Sequence, residues 1–167
     1  MAGNEFARIR TPFWIGKIMP TLKHKWNERY LNLAYEIAQW SKDPSKKIGA
    51  IAVGSKGQVL AQGYNGFPRG IQHSPERLMN RELKYKYVVH AEMNLIYNAS
   101  YNGTSLDGST VYVTGLPVCS ECAKGLIQVG VQQVIMPKQD DTPEKWMESF
   151  ELTKQLFEEA GVAWQFI

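Results

Sequence analysis

Hydrophobic residues in the first quarter of the chain recur every three or four positions, and this period predicts a helix. The residues at these steps, from Thr21 onward, are Trp26, Tyr30, Leu33, Ile37 and Trp40. The pair Asp43-Pro44 favours an end of the helix near that point, because a residue before proline avoids helical dihedral angles. Residues 1–20 show no clear period, so we interpret them as an N-terminal arm that lies on the domain or on a neighbouring subunit.

Apolar runs at residues 48–53 and 58–64 are separated by a glycine-rich turn at 54–57, which predicts an antiparallel hairpin. From residue 91 onward, helical and extended patterns alternate. We predict helices at 91–101, 120–129 and 143–160, and strands at 110–114, 131–136 and 162–167. This order favours an α/β fold of three layers, α/β/α, in which a mixed five-stranded sheet has parallel later strands and helices on both faces. Residues 65–89 form a connection long enough to indicate a functional loop.

Length and composition predict one folded domain over residues 1–167. Hydrophobic residues make up 44% of the chain and charged residues 21%, close to the averages of globular proteins. The net charge of +3 is spread along the chain, so we do not expect nucleic acid as a partner. No run is long and apolar enough to predict a membrane span. Two cysteines three positions apart fit a reducing cytoplasm, which for a viral protein is that of the host.

Two short motifs carry the candidate chemistry, and each precedes a predicted helix. His90-Ala91-Glu92 is the first, and Pro117 to Cys122 contains a Cys-x-x-Cys pair. Catalytic zinc is held by three nitrogen or thiolate ligands and leaves a fourth position for water. His90, Cys119 and Cys122 supply such a set, and a helix N-terminus favours ionised cysteine. Glu92 is close enough in sequence to move protons to and from that water.

Each motif alone has ordinary interpretations. A Cys-x-x-Cys pair is found in redox proteins and in closed structural zinc sites, and a lone histidine is usually a surface or core residue. The pair does not follow the first strand, as in thioredoxin-like proteins. A closed site needs a fourth ligand, which only His24 or His73 could supply here. The combination of H-x-E with a proline-containing C-x-x-C is the signature of zinc nucleobase deaminases. Glu92 argues against the remaining alternative, a non-catalytic zinc module that binds partners.

From about Trp26 to the C-terminus, the chain resembles the cytidine and deoxycytidylate deaminase superfamily, and more narrowly the deoxycytidylate (dCMP) deaminases. The resemblance rests on the two zinc motifs, on SKDPSKKIGA at 41–50, on GYNGFPRG at 63–70 and on VYVT at 111–114. It implies a cytidine-deaminase-like fold and one Zn²⁺ per chain. It also implies hydrolysis of dCMP to dUMP and ammonia, which supplies dUMP for thymidylate synthesis. In the implied mechanism, zinc-activated water attacks C4 of cytosine while Glu92 protonates N3 and then the departing amine.

The resemblance also implies substrate contacts. The asparagine that matches Asn65 contacts the sugar, and the backbone near Ala50 reads the edge of the base. For the 5′-phosphate the chain offers three lysines before the first strand, of which we select Lys47; all three are otherwise a solvated basic loop. These lysines are Lys42, Lys46 and Lys47. One departure stands out: relatives usually have proline directly before the first cysteine, whereas Val118 occupies that position here.

A regulatory site is implied by the loop that follows Asn65. In dCMP deaminases this loop is associated with allosteric dCTP, an activator, and dTTP, an inhibitor, usually with Mg²⁺ and in a homohexamer. The matching residues are Gly66, Phe67, Pro68, Arg69 and Gly70. Charges for a triphosphate, or alternatively for a solvated helix face, are offered by Arg77, Arg81, Lys84 and Lys86. Deamination of a base in tRNA or of a free nucleoside is the alternative within the superfamily, although a tRNA enzyme is expected to be more basic.

Overall fold

The computed structural model describes residues 15–138 and 144–167. The helices are α1 (Ile15–Ala38), α2 (Pro75–Met79), α3 (Arg81–Tyr87), α4 (Ala91–Tyr101), α5 (Ser120–Gln128) and α6 (Glu144–Ala160). The strands are β1 (Gly49–Val53), β2 (Val59–Tyr64), β3 (Thr110–Thr114), β4 (Gln133–Met136) and β5 (Ala163–Phe166). They form one sheet in the order β2-β1-β3-β4-β5. β1 is antiparallel to β2 and β3, whereas β3, β4 and β5 run parallel. The predicted mixed five-stranded sheet is confirmed.

Alternating residues of β1 separate two hydrophobic clusters, one on each face of the sheet. Ile51 packs with Ala34 and Ile37 of α1 on one face. Ala50 and Ala52 pack on the other face with Leu95 of α4 and with buried residues of α5 and α6. Because successive side chains of a strand point to opposite faces, β1 is buried along its whole length. The three-layer arrangement is therefore confirmed, with α1 on one side and α4, α5 and α6 on the other.

Two glycines bring helices unusually close to the sheet. A Cβ atom at Gly49 would lie 1.9 Å from the carbonyl oxygen of Ala34 in α1. A Cβ atom at Gly63 would lie 2.3 Å from the carbonyl oxygen of Ala91 and 2.3 Å from the amide nitrogen of Leu95. Both spaces are closed by backbone, so no side chain fits without movement of the helix. Gly63 thereby fixes the start of α4 against β2.

The first helix differs from its prediction at both ends. α1 begins at Ile15, earlier than the predicted start at Thr21, and residues 1–14 of the predicted arm lie outside the described residues. Pro20 costs the helix one backbone hydrogen bond, but the helix continues through it. The helix ends at Ala38, before the predicted Asp43-Pro44. The Ser41 hydroxyl donates to the carbonyl oxygen of Asn65 at 2.8 Å, which ties the following backbone to the end of β2.

The long connection after β2 contains two short helices that the sequence interpretation missed. α2 begins after Ser74, whose side chain accepts a hydrogen bond from the amide of Arg77. α3 begins after Asn80, whose side chain accepts one from the amide of Leu83. A serine followed by proline, and an asparagine three positions before an apolar residue, were the available start signals. Within the two described ranges, every helix is too short or too polar to span a bilayer.

Candidate active site

The two sequence motifs meet because α4 and α5 begin next to each other on the same face of the sheet. His90 is the N-cap of α4 and Cys119 is the N-cap of α5. The Cys119 sulfur accepts a hydrogen bond from the amide of Cys122 at 3.4 Å, which caps the first turn of α5. Both candidate ligand groups therefore lie where helix dipoles and free amides favour negative charge.

The geometry of the three side chains suits a tetrahedral metal ion. The Nδ1 atom of His90 lies 3.4 Å from the sulfur of Cys119 and 3.4 Å from that of Cys122. In a zinc tetrahedron with ordinary bond lengths, a nitrogen and a sulfur ligand are about 3.6 Å apart. The three donor atoms lie within 4.8 Å of one another. One imidazole and two thiols at these distances fit zinc, with His90 Nδ1 as the nitrogen ligand.

The two other histidines do not join this group. Nδ1 of His24 pairs with a carboxylate oxygen of Glu28 at 3.3 Å on the exposed face of α1. The ring of His73 stacks on Phe67 with ring centroids 5.0 Å apart. Among the described residues, His90, Cys119 and Cys122 are the one cluster of three or more potential metal ligands. Three protein ligands leave the fourth position of a tetrahedron open, as in catalytic rather than structural zinc sites.

The protonation of the cysteines is set by their mutual hydrogen bonds. A hydrogen bond from the Cys122 thiol, and a further one from His90, lower the pKa of Cys119 to about 4. The same contact with Cys119 raises the pKa of Cys122. The hydrogen bond with Cys119 also raises the pKa of His90. Cys119 is thus held as a thiolate, which is the form that binds metal.

Glu92 lies in the first turn of α4 beside these ligands. Its side chain is only 4% exposed. Burial, with a smaller contribution from the charge of Cys119, raises the pKa of Glu92 to about 7. A carboxyl group with a pKa near neutrality can both take up and release protons. Glu92 therefore has the position and the acidity of a general acid and base.

These groups open into a cavity of about 450 Å³. Its wall includes His90, Glu92 and Cys119 on one side. The wall also carries the cationic side chains of Lys46 and Arg81, and a third, Lys84, which is paired with Asp43. The volume is within the usual range for small-molecule sites. The site can therefore receive a compact, polar ligand that carries negative charge.

Of the three predicted substrate residues, Asn65 lies in the cavity wall, whereas Ala50 and Lys47 do not. Asn65 lines the cavity and is buried. Its side-chain oxygen accepts from the amide of Ile48 at 2.8 Å, and its side-chain nitrogen donates to the carbonyl oxygen of Lys46 at 2.9 Å. Ala50 is fully buried within β1 and is not part of the cavity wall, where Ile48 stands instead. Lys47 is exposed, points to the carbonyl oxygen of Gln39 at 3.4 Å and does not line the cavity.

The five predicted regulatory residues form a loop beside the cavity rather than in its wall. Gly66 exchanges two backbone hydrogen bonds with Val89, at 3.1 and 2.8 Å. Phe67 is buried against His73, whereas Pro68 and Gly70 are exposed. Arg69 donates to the side-chain oxygen of Asn98 at 2.6 Å. The loop is thus connected to the residue that directly precedes His90.

A buried ion pair in the cavity wall was not expected from the sequence. The ammonium group of Lys84 in α3 lies 3.0 Å from a carboxylate oxygen of Asp43 and donates to the hydroxyl of Ser45 at 3.2 Å. The same carboxylate oxygen accepts from the amide of Ser45 at 2.7 Å. Residues 43 and 84 are far apart in sequence and each is common on protein surfaces. The one hint in the sequence was that Lys84 stands between apolar residues in α3.

Comparison with known proteins agrees with this geometry. Residues 24–138 match the profile of the cytidine and deoxycytidylate deaminase zinc-binding region. The chain belongs to this deaminase family. Human deoxycytidylate deaminase is 38% identical over 148 residues, which cover 84% of this chain and 79% of the human protein. An uncharacterized deaminase of Aliivibrio fischeri is 35% identical over 139 residues, covering 83% and 90% of the two chains.

A solved member of the deaminase family has the same fold. The crystal structure of dCMP deaminase from the cyanophage S-TIM5, in complex with dCMP and dUMP, superposes with a TM-score of 0.68. It is 28% identical and covers 89% of this chain and 98% of the phage chain. The cytidine-deaminase-like fold expected from the motifs is confirmed, and the protein is a zinc-binding deaminase.

Proposed function

We propose that this deaminase hydrolyses dCMP to dUMP and ammonia. The observation that carries the proposal is the convergence of His90 Nδ1, two cysteine sulfurs and the buried Glu92 in the wall of one cavity. The nucleotide is suggested by relatives named deoxycytidylate deaminases and by the S-TIM5 enzyme bound to dCMP and dUMP. The same nucleotide fits a cavity whose wall combines acid–base chemistry with cationic side chains.

The side chains divide the work of the reaction. His90, Cys119 and Cys122 would hold the metal. Zinc bound there supplies a Lewis acid that lowers the pKa of water to near neutrality. Glu92 accepts a proton from the water molecule that adds to C4 of cytosine, and passes it to N3. Glu92 then takes the proton of the hydroxyl group now on C4 and delivers it to the exocyclic amine, so that the C4–N bond breaks, the C4 carbonyl forms and ammonia leaves. Burial of Glu92 keeps competing bulk water away from these transfers.

The phosphate of dCMP is assigned to Lys46 and Arg81. Both side chains line the cavity and are exposed, so their charges are available to a ligand. The guanidinium group of Arg81 also donates to the hydroxyl of Tyr85 at 2.9 Å, which orients it at the rim. A phosphate dianion binds such groups through charge-assisted hydrogen bonds. Lys84, by contrast, has its charge balanced by Asp43.

The sugar and base contacts are proposed to depend on the segment that Asn65 holds. The Asn65 side chain binds the backbone of Lys46 and Ile48, and this segment forms part of the cavity wall. Asn65 therefore shapes the surface that meets the nucleoside. A direct bond from Asn65 to the sugar, and reading of the base edge near Ala50, remain predictions.

Substrate preference tests this function. The purified, zinc-loaded protein should release ammonia from dCMP with a higher kcat/KM than from deoxycytidine, cytidine, cytosine or a tRNA anticodon stem. Lys46→Met and Arg81→Met should raise KM for dCMP, whereas the same change at the exposed hairpin residue Lys56 should not. Preference for an unphosphorylated nucleoside or for tRNA would contradict the dCMP assignment. A raised KM in Lys47→Met alone would move the phosphate contact to Lys47.

Regulation by dCTP and dTTP is proposed to act through the loop at residues 66–70. Support comes from the two hydrogen bonds between Gly66 and Val89, since movement of the loop would be transmitted to the adjacent His90. Mg²⁺ with the triphosphate, a homohexamer and a cytoplasmic location complete this proposal. At subsaturating dCMP, dCTP should raise and dTTP should lower the rate, with and without Mg²⁺, and sedimentation should give the oligomer. Insensitivity to both nucleotides would remove the regulatory part and leave the catalytic part intact.

A further inference from the structure

Helix α6 binds the backbone on both sides of the metal ligand Cys119. The Thr153 hydroxyl donates to the carbonyl oxygen of Val118 at 2.9 Å, and the carbonyl oxygen of Ser149, one turn earlier in α6, is the longer alternative at 3.1 Å. The Ser149 hydroxyl oxygen accepts from the amide nitrogen of Ser120 at 3.0 Å, and the two serine hydroxyls lie 3.2 Å apart. The first bond holds the peptide group that precedes Cys119, and the second holds the peptide group that follows it. Both dihedral angles of Cys119 are therefore restrained by α6.

The two hydroxyl groups are arranged for this purpose by helix geometry. Ser149 and Thr153 are four residues apart, so their side chains lie one above the other on the same face of α6. Thr153 is completely buried and Val118 is also completely buried, so water does not compete for their hydrogen bond. A buried hydrogen bond of this kind fixes its partners, because breaking it leaves a carbonyl oxygen without a donor.

The position matters because the residue that precedes Cys119 is a valine, Val118, and not a proline. Proline restricts its own φ angle and also limits the residue before it. Valine does not impose that restriction. The bond from Thr153 to Val118 supplies a tertiary restraint at the residue where the local covalent restraint is missing.

We propose that Ser149 and Thr153 are positioning residues for Cys119, and that they set the affinity of the His90–Cys119–Cys122 site for zinc. They hold the sulfur of Cys119 at the 3.4 Å distance from His90 Nδ1 that suits a shared metal ion. Without them the Cys119 turn samples other conformations, and metal binding has to order it. This inference rests on the zinc site of the proposed function, but it concerns affinity for the metal and not the choice of substrate.

The experiment measures zinc affinity by competition with a chromophoric chelator. Thr153→Val removes the hydroxyl and keeps the shape, and Ser149→Ala removes the second hydroxyl. Each should weaken zinc binding about 10-fold or more, as is typical of residues that orient metal ligands. Thr153→Ser, which keeps a hydroxyl, should retain most of the wild-type affinity for zinc. Ser109→Ala is the matched control, because Ser109 is fully buried and its hydroxyl has no hydrogen-bond partner among the residues that the structure describes. This variant should bind zinc like the wild type.

Substitution of Co²⁺ for zinc gives a second readout that general loss of stability does not mimic. The visible absorption of bound Co²⁺ reports the ligand geometry, so it should change in Ser149→Ala and remain unchanged in Ser109→Ala. If Thr153→Val unfolds near the assay temperature, the half-buried Ser149→Ala decides the question. Wild-type affinity and wild-type Co²⁺ absorption in Ser149→Ala would overturn the inference. Failure of the wild-type protein to bind zinc would instead contradict the proposed function itself.

Discussion

The ammonium group of Lys84 and the carboxylate of Asp43 lie 3.0 Å apart in the cavity wall, with only 8% and 10% of their side chains exposed. Asp43 also accepts hydrogen bonds from the backbone amides of Ser45 and Lys46, at 2.7 and 3.2 Å. The pair therefore fastens helix α3 to the segment that leads into β1. Both elements contribute residues to the cavity wall.

Removal of the lysine charge should destabilise the protein and disturb the site. Lys84→Met leaves a buried carboxylate without its partner, which costs about 3 kcal/mol in the free energy of unfolding. Urea denaturation gives this value, and KM for dCMP should rise in parallel. Lys86→Met, an exposed change on the same helix, serves as the control. Adding Asp43→Asn to Lys84→Met should recover part of the lost stability. Unchanged stability in Lys84→Met would show that the ion pair does not stabilise the fold.

Replacement of Glu92 by glutamine separates catalysis from metal binding. The glutamine keeps the shape of the side chain but cannot exchange protons, so kcat should fall at least about 100-fold. Zinc content, measured on the purified variant by atomic absorption, should stay near one ion per chain because Glu92 is not a ligand. A variant that keeps its activity would contradict the proton-transfer role, and one that loses its zinc would indicate that Glu92 supports the metal.

The Asn65 side chain should prove structural as well as functional. Asn65→Ala removes hydrogen bonds to the backbone of Lys46 and Ile48 at a buried position. The loss should be about 1–3 kcal/mol in the free energy of unfolding, with a lower kcat/KM for dCMP. Asn102→Ala, at the exposed end of α4, provides the comparison. If Asn65→Ala lowers activity without any loss of stability, Asn65 acts on the substrate directly rather than through the segment it holds.

Alkaline pH should weaken the attachment of α1 through Tyr112. Its hydroxyl donates to the side-chain oxygen of Asn27 at 2.8 Å, and burial raises the pKa of Tyr112 to about 12. An unfolded tyrosine ionises near pH 10. Between these values the unfolded chain has released the proton that the folded protein retains, so stability falls as pH rises. From pH 9 to 12 the free energy of unfolding should therefore fall more steeply with pH for the wild type than for Tyr112→Phe. Parallel curves of this free energy against pH would refute the assignment.

The sequence predicted the parts of the site that depend on neighbouring residues. His90, Glu92, Cys119 and Cys122 were identifiable because ligand chemistry and helix starts coincide within a few positions. The Asp43–Lys84 pair was not predictable, since it depends on how α3 packs against the segment that leads into β1. Thr153 and Val118 likewise meet only through the packing of α6 on α5.

The region 41–50 shows the same limit of sequence-based prediction between residues that are close together in the chain. Lys47 and Ala50 were the residues predicted from this region, whereas the cavity is lined by Lys46 and Ile48. Residues 43–46 follow one another along the cavity wall, so alternation along a strand does not select them. The choice depends on tertiary hydrogen bonds, such as those from Asn65 to the backbone of Lys46 and Ile48, which the sequence does not show.

The close approach at Gly63 limits how this enzyme can be redesigned. We expect a mutational library to contain no functional substitution at residue 63. Even one added methyl group would push against the backbone of Ala91 and displace the adjacent His90. Searches for altered substrate range should hold that codon fixed and vary the rim at Lys46 and Arg81, where side chains border open space.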